Sequence, residues 1–472
     1  MSDVPSPVAK TPAPPKPLGR SMKLLGGLFL ALSAATPASS VFVIVPDVIA
    51  QAGTGALIAM IAAAFIALSV GQVYAEMSSA FPMAGGEYAI VGRTLGPLLG
   101  FAILGLNLLN SLLAVAVLSL GIGEYLGPLA GGLSARSVAL IAIVGATLLG
   151  VLNIRTNALV TGLFVLVELI ALAVLAALGF GHAVRSPLEM LAHPVTLQGA
   201  ALAPVGLVGI GMSVAVATFA YDGYGAAVYF GEEMHAAPRR IGRAIVAAVL
   251  ITVAAEIVPL TAVLMGAPDL KALLGSKSVI GDFVLATGGP VLQRGLSLGV
   301  ALAILNAVIA TVLLVSRQLY STGRDRIWPQ WANSPLVCVH PRLHSPWVAT
   351  LVSGGLACGL CFFDMRFLLK LSGAGVVFVY ALMCAAAIWG RRTGSSAHGL
   401  HRMPFYPWAP ILTLIALAGV AWTAWADPEE GRVGLIASVA TGVLFGLYYL
   451  IFIRPRRDWR LQGPQGDEDV FD

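Results

Sequence analysis

Charged residues are scarce in this chain of 472 residues: 11% are Asp, Glu, Lys or Arg, while 58% are hydrophobic. Soluble domains keep about a quarter of their residues charged, so this composition excludes an ordinary soluble protein. The apolar residues are gathered in long runs, and a helix needs about 20 of them to cross a bilayer. The sequence therefore indicates a polytopic protein of the lipid bilayer, and the length of the runs favours helices over a β-barrel.

Cysteine is equally scarce, with four residues in the chain. Cys358 and Cys361 form a C-x-x-C pair, but they stand in an apolar stretch of small residues where this spacing is one helical turn. The seven histidines all fall outside the predicted hydrophobic cores. This pattern requires no metal, disulfide or cofactor, and no pairing of a nucleophile with a base indicates an enzyme.

Twelve apolar segments are long enough to span a bilayer. They cover residues 24–52, 55–80, 95–126, 135–152, 158–180, 204–231, 242–266, 294–323, 347–364, 367–390, 406–426 and 432–453. An even number puts both termini on one side, and most of the 28 Lys and Arg residues share that side, which the positive-inside rule makes cytoplasmic. We therefore predict a multi-pass protein of the cytoplasmic (inner) membrane. The net charge of +5 reflects this orientation and indicates no nucleic-acid binding.

The two ends of the chain differ from the spans. Residues 1–22 are rich in proline and poor in residues that form a core, which predicts a disordered cytoplasmic tail. Residues 454–472 are predicted as a second cytoplasmic tail. The apolar run after Lys23 is much longer than the core of a signal peptide, so we expect no cleaved signal.

The sixth apolar segment contains an ionisable residue, Asp222, flanked by Gly223 and Gly225. Glycine lowers the cost of leaving the helical conformation. Irregular backbone at membrane depth survives only where it lines a protein cavity, and an intramembrane carboxyl is by default functional. We predict that this segment is broken at a binding site.

The first segment is also predicted to be broken, at Pro37, because proline removes an N–H and clashes with the preceding turn. Thr36, Ser39 and Ser40 offer hydroxyl groups beside it. Two broken spans five helices apart are typical of a transporter with inverted repeats and a central binding site. The free N–H groups at such a break suit a carboxylate.

Four ordered motifs carry a resemblance to a known family. They are YAEM-x4-P-x-AGGEY-x7-GPLLGF over residues 74–101, FAYDGYG followed by E-E-x4-P-x2-I-x-R-A-I over 219–245, S-R-x2-Y-x3-R-D over 316–325, and RMPFYPWAP over 402–410. In these motifs the chain resembles the amino acid–polyamine–organocation (APC) superfamily of permeases. The resemblance implies an all-α LeuT-type fold, with inverted repeats at 23–180 and 204–390 and two further helices at 406–453.

The resemblance also implies where a substrate binds. Its carboxylate would meet backbone N–H groups near the first break, at Thr36, Ala38, Ser39 and Ser40. Its ammonium would meet the second break, at Phe219, Ala220, Tyr221, Asp222 and Gly223, with Phe219 as a lid. The chain departs from many relatives in lacking a glycine hinge at Ala38 and in carrying its acid at Asp222 instead of at Gly225.

Two further carboxyls are candidates for proton coupling. Glu168 stands among aliphatic residues at about the place where many relatives carry a lysine, and Glu256 lies just before Pro259. A structural role for Glu168 is equally compatible with its position. We also predict that Glu76, Glu232 and Glu233 pair with arginines, forming an inner gate or an orienting network. Their expected partners are Arg93, Arg239, Arg240 and Arg324.

We therefore predict a proton-coupled permease for amino acids that works by alternating access. The alternatives are a permease for polyamines or simple amines, an amino-acid exchanger that moves no proton, and a transporter-like nutrient sensor. The sequence leaves open which amino acid or amine is carried, because the pocket shape decides it.

Overall fold

The computed structural model describes residues 17–126, 133–199, 201–276, 278–372, 375–426, 428, 431–456 and 459–463. In this part of the chain, nine helical segments are long and apolar enough to cross a membrane, and two shorter apolar helices accompany them. The prediction of an all-α polytopic membrane protein is confirmed. The count of twelve spans and the division into inverted repeats stay predictions.

The first half of the chain is helical throughout its described residues, apart from short connections. In order it contains α1 (Leu24–Ala35), α2 (Pro37–Ser39), α3 (Val45–Ala52), α4 (Ala56–Ala80), α5 (Glu87–Thr94), α6 (Pro97–Leu126), α7 (Ala135–Gly150) and α8 (Ile154–Gly181). A π-helical turn, Ser40–Ile44, joins α2 to α3.

The second half adds a small hairpin and a long 3-10 helix. In order it contains α9 (Pro187–Ala192), β1 (Val195–Gln198), β2 (Ala201–Pro204), α10 (Leu207–Ala220), the 3-10 helix Tyr224–Glu233, α11 (Ala237–Gly266), α12 (Leu270–Leu274), α13 (Val279–Arg324), α14 (Gln330–Leu336), α15 (Trp347–Leu360), α16 (Met365–Ser372), α17 (Gly375–Thr393), α18 (Trp408–Ala426), α19 (Gly431–Tyr448) and the π-helical turn Tyr449–Ile453. Gly289 interrupts α13 with a φ of 78° directly before Pro290.

The first apolar segment is broken between α1 and α2. Pro37 cannot continue the regular hydrogen bonding of α1, because it has no N–H and its ring clashes with the preceding turn. Thr36 adopts the left-handed conformation, with a φ of 41°, and its N–H donates to the Leu32 carbonyl. The predicted break at Pro37 is confirmed.

The second break follows α10, which ends at Ala220. Gly223 has a φ of 107°, a conformation that favours glycine, and the chain then continues as the 3-10 helix. A Cβ added at Gly223 would lie 2.5 Å from the Ala34 carbonyl oxygen, so the two breaks are in direct contact. The predicted break beside Asp222 is confirmed.

The connection between α8 and α10 is more structured than the sequence indicates. Strands β1 and β2 pair antiparallel, with Val195 opposite Pro204. The hairpin covers the end of α3, because a Cβ on Gly53 would lie 2.0 Å from the Val195 carbonyl oxygen. The first and fifth apolar segments thus end on the same side of the molecule.

The described ends of the chain pack against the helices. Leu18 and Met22 are buried, and Met22 forms a parallel β-bridge with Met234. At the other end, the Trp459 indole donates to the Asp325 carbonyl at 2.7 Å. Residues 17–22, within the predicted disordered tail over 1–22, thus pack against the helices, and residues 1–16 and 464–472 lie outside the described residues. The cytoplasmic tail over 454–472 stays a prediction.

Candidate functional site

A cavity of about 450 Å³ lies between the two breaks and is called the central cavity below. Six of the residues predicted to bind substrate line it: Thr36, Ser39, Ser40, Phe219, Asp222 and Gly223. Its remaining polar side chains come from five other helices and from the 3-10 helix: Tyr74, Glu87, Asn107, Asn110, Ser111, Tyr229, Thr311 and Tyr380. Each broken span therefore contributes one polar wall of the central cavity.

At the first break, a backbone N–H that was predicted to bind the substrate already donates to a carboxyl of the protein. The Ala38 N–H donates to Glu168 Oε1 at 2.8 Å, and the Thr36 hydroxyl donates to the same oxygen at 3.2 Å. Ala38 is fully buried and does not line the central cavity. The Ala38 N–H, which was predicted to meet a substrate carboxylate, is thus already donated to Glu168.

The serines after Ala38 link the two breaks. The Ser40 hydroxyl donates to the Ala220 carbonyl at 2.8 Å, so this predicted ligand of an ammonium group is already bonded within the protein. Ser39 and Ser40 both line the central cavity, whereas Ala220 does not. A carbonyl oxygen can accept two hydrogen bonds, so the Ala220 carbonyl can still accept one more.

At the second break, Phe219 and Asp222 line the central cavity, but Tyr221 does not. The Tyr221 hydroxyl donates to the Met60 carbonyl at 3.2 Å, which anchors the break to α4. The Asp222 N–H donates to the Phe219 carbonyl at 3.1 Å. Ala220 and Tyr221 thus hold the break in place, and the predicted contact of their carbonyls with the ammonium group stays a prediction.

Asp222 bonds to a residue far away in the sequence. The Tyr380 hydroxyl, on α17, donates to Asp222 Oδ1. The Tyr380 ring stacks on Tyr224 at 6.3 Å, and Tyr74 packs edge-on against both rings at 5.9 Å and 6.3 Å. This cluster of three tyrosines was not predicted, because no local motif joins residues from α4, the 3-10 helix and α17.

The central cavity contains a second carboxyl, Glu87, at the start of α5. Its side chain is 6% exposed, its Oε2 has no hydrogen-bond partner among the described residues, and the Tyr229 and Tyr74 hydroxyls lie beside it. The Asn107 amide donates to the Tyr229 hydroxyl at 3.2 Å. Burial raises the pKa of the Glu87 carboxyl to about 7. The residue stands inside the AGGEY motif, and no separate role was predicted for it.

The two candidates for proton coupling lie behind the first break. Glu168 and Glu256 are both buried, and neither lines the central cavity. Glu256 lies beside Ser40 and within electrostatic range of Glu168. Its two carboxyl oxygens have no hydrogen-bond partner among the residues that the structure describes.

Three buried carboxylates form an ion-pair layer away from the central cavity. Arg317 binds Glu233 at 2.9 Å, Arg324 binds Glu232 at 2.8 Å, and Arg391 binds Glu76 at 2.6 Å. Arg402 also contacts Glu76, at 3.2 Å. The predicted pairing of these glutamates with arginines is confirmed, but only Arg324 was among the expected partners. Arg317, Arg391 and Arg402 pair with these glutamates in place of the expected Arg93, Arg239 and Arg240.

Metal chemistry finds no support in the described residues, where no three His, Cys, Asp or Glu side chains come together as ligands. A polar cavity between two discontinuous spans of a helical membrane protein is the arrangement of a transporter. This class accounts for the cavity, and comparison with known proteins identifies the family.

The chain belongs to the amino acid permease family, whose model matches residues 24–446. It is 27% identical to an uncharacterized transporter of Mycobacterium tuberculosis over 79% of this chain and 81% of the relative. It is also 27% identical to the branched-chain amino acid permease of Lactococcus lactis, over 80% of this chain and 84% of that one. The cationic amino acid transporter 7 of Arabidopsis thaliana is 25% identical over 72% of this chain and 60% of its own. The protein is therefore a membrane transporter for a small molecule, and not an enzyme.

Proposed function

We propose that this protein is a secondary active permease that carries amino acids across the cytoplasmic membrane by alternating access. The observation that carries the proposal is the central cavity, which is bounded by both broken spans and has room for one small solute. The names of the two permease relatives, one for branched-chain and one for cationic amino acids, agree with this substrate class.

The substrate carboxylate binds at the first break. The hydroxyl groups of Ser39 and Ser40 face the cavity there, and a helical segment begins after the break, so the positive end of its dipole favours an anion. Thr36 also lines this wall, although its hydroxyl is shared with Glu168. The Ser39 hydroxyl is the side-chain donor to the carboxylate, because the Ala38 N–H is donated to Glu168 and the Ser40 hydroxyl proton to the Ala220 carbonyl.

The α-ammonium group binds at the second break, where the Phe219 to Gly223 backbone turns out of the helix. Asp222 adds a negative charge, while its bond from Tyr380 holds the carboxylate in a fixed position. For a simple amine, which lacks a carboxylate, Asp222 would be the main anchor. That second function is the alternative that this geometry favours.

A proton is carried with the substrate, and Glu168 is its first candidate. Glu168 holds Ala38 and Thr36 at the first break through its Oε1, so a change in its protonation acts directly on the segment that forms one wall of the cavity. Glu256, beside Ser40, is the second candidate. Both lie behind the break, so a proton there does not compete with substrate for space.

The orientation follows the distribution of Lys and Arg, with both termini cytoplasmic. Single cysteines at Ala183 and His235, two exposed positions, test it in a variant without the four native cysteines. An impermeant maleimide added to intact cells is expected to label Ala183→Cys and to label His235→Cys only after the cells are opened. The reverse pattern would invert the topology.

Uptake into proteoliposomes tests the transport function. Radiolabelled amino acids and their decarboxylated amines are each supplied with and without an inwardly directed proton gradient. Accumulation of an amino acid only with the gradient is the expected result. Accumulation without the gradient, dependent on amino acid inside, would identify an exchanger, and uptake of amines alone would replace the amino-acid proposal. A sensor would bind a ligand and accumulate none.

A further inference from the structure

The central cavity has an unbalanced charge. Two carboxyl groups, Asp222 and Glu87, line it, while none of its lining residues is Lys, Arg or His. A neutral amino acid brings one positive and one negative charge, so it leaves this excess of carboxyl groups uncompensated. Its own carboxylate is also repelled by both groups. The cavity thus favours a solute that carries one more positive charge.

One oxygen of Glu87 has unused bonding capacity. The Tyr229 and Tyr74 hydroxyls lie within hydrogen-bonding reach of the Glu87 carboxyl, but its Oε2 is buried without a partner in the described part of the chain. Leaving a buried acceptor without a hydrogen bond costs free energy, and the cost is larger for a charged group. A donor of the substrate that reaches Glu87 would remove this cost.

The rings beside the two carboxyls also suit a cation. Tyr74 lies next to Glu87, Tyr380 bonds to Asp222, and these two rings, which both line the central cavity, pack edge to face at 5.9 Å. The face of an aromatic ring attracts ammonium and guanidinium groups, more strongly when water is excluded. The Asn107 amide on α6 donates to the Tyr229 hydroxyl on the 3-10 helix and so positions that hydroxyl beside Glu87.

We propose that the substrate is an amino acid with a cationic side chain, and that Glu87 receives that cation at the Tyr74 and Tyr229 end of the central cavity. This inference rests on the proposed function, because the α-carboxylate and α-ammonium groups bind at the two breaks as argued above. Glu87 thereby selects between cationic and neutral side chains.

Arginine and citrulline test the selection, since they have nearly the same shape and differ in the charge of the side-chain end. Binding of both to the purified protein is measured at pH 8 without a gradient. We expect wild type to bind arginine at least about tenfold more tightly than citrulline, the effect of one charged hydrogen bond. Glu87→Gln should lose most of this preference by weakening arginine and leave citrulline within about twofold.

Glu87→Asp and Glu189→Gln are the control variants. The first keeps the charge on a shorter side chain and should retain part of the preference, and the second makes the same carboxyl-to-amide change at an exposed residue of α9, outside the cavity, and should retain all of it. The wild-type ratio is informative even if Glu87→Gln fails to fold.

The outcomes separate this inference from the proposed function. Equal binding of arginine and citrulline to wild type, or a preference that survives in Glu87→Gln, overturns the role of Glu87 and leaves an amino-acid permease. Binding of agmatine, which is arginine without its carboxylate, in place of arginine overturns the amino-acid permease itself. Binding of neutral amino acids alone also overturns the inference.

Discussion

The ion-pair layer and the central cavity both bury carboxyl groups, but they treat them differently. In the layer, Glu76, Glu232 and Glu233 are each bound by an arginine. In the cavity, Asp222 accepts hydrogen bonds from the uncharged Tyr380 hydroxyl and Gly223 N–H, and Glu87 Oε2 has no partner among the described residues. A buried charge needs a partner. Where an arginine supplies the partner the charge is structural, and for Glu87 we propose that the substrate supplies it.

One short element joins the two regions. The 3-10 helix Tyr224–Glu233 places Tyr224 and Tyr229 beside the cavity carboxyls, and it ends with Glu232 and Glu233 in the ion-pair layer. Any shift of this helix alters both regions together. Alternating access requires such a mechanical link between the binding site and a gate.

The largest expected effect comes from breaking the layer at Arg317, whose side chain is fully buried against Glu233. Arg317→Met leaves an unpaired buried carboxylate, so the free energy of unfolding should fall by about 3–5 kcal/mol. Thermal unfolding of the detergent-purified protein measures the loss.

Arg402 provides the matched control, because its side chain is 43% exposed and Glu76 keeps Arg391 without it. Arg402→Met should cost less than about 1 kcal/mol. In the double variant Arg317→Met, Glu233→Leu, both charges are absent and most of the stability should return. A single variant at Arg317 as stable as the one at Arg402 would contradict a structural role for the layer.

The second prediction concerns Glu168, which bonds to the first break although it lies outside the cavity. Glu168→Gln keeps an oxygen that accepts from Ala38 and Thr36 but cannot exchange a proton. Ligand binding should persist, while accumulation driven by a pH gradient disappears in proteoliposomes. Continued accumulation would pass the coupling role to Glu256 or Asp222, or remove coupling altogether.

The features of the fold that depend on residues close together in the sequence were predictable. Apolar runs gave the spans, and Pro37 and Gly223 gave the breaks, because proline and glycine act on their own backbone. The four-residue strands β1 and β2 are too short for a clear period-two pattern, so the hairpin was missed. The burial of Leu18 and the packing of Trp459 against Asp325 were missed because composition does not report tertiary contacts.

The site was predictable only in part, because its partners come from distant positions. Asp222 and Tyr380 are 158 residues apart, and Glu76 and Arg391 are 315 apart, and in each case tertiary packing chooses the partner. Glu87 belongs to a motif that was recognised in the sequence, but only tertiary packing shows that its Oε2 has no partner among the described residues. Ala38 was assigned to the substrate because nothing near it in the sequence announces Glu168.

The third prediction uses pH to sharpen the contrast between paired and unpaired carboxyls. The pKa of Glu87 is raised to about 7, and the groups that face it are Tyr74, Tyr229 and Asp222. Between pH 6 and pH 8 the carboxyl changes from mostly neutral to mostly ionised, so the preference for arginine over citrulline should rise with pH, by up to about tenfold. The ratio of the two affinities cancels effects of coupled protons that both ligands share. In Glu87→Gln the ratio should be flat, and a wild-type ratio that falls with pH would reverse the sign of this argument.

The smallest effect is expected at Asp222, which already has a partner. Asp222→Asn keeps an oxygen that accepts from Tyr380, so the break should hold its shape, and backbone carbonyls still receive the α-ammonium group. The affinity for the amino acid should change by only about threefold, within the worth of one neutral hydrogen bond. The methyl ester should compete poorly with the amino acid in both wild type and variant, because the carboxylate is still needed at Ser39 at the first break. If Asp222 were instead the main anchor of an amine, wild type would bind the decarboxylated ligand as tightly as the amino acid, and the Asn variant would bind neither. Competition binding with these three ligands decides between the two readings. Tight binding of the decarboxylated ligand would show that Asp222 is the main anchor of an amine substrate.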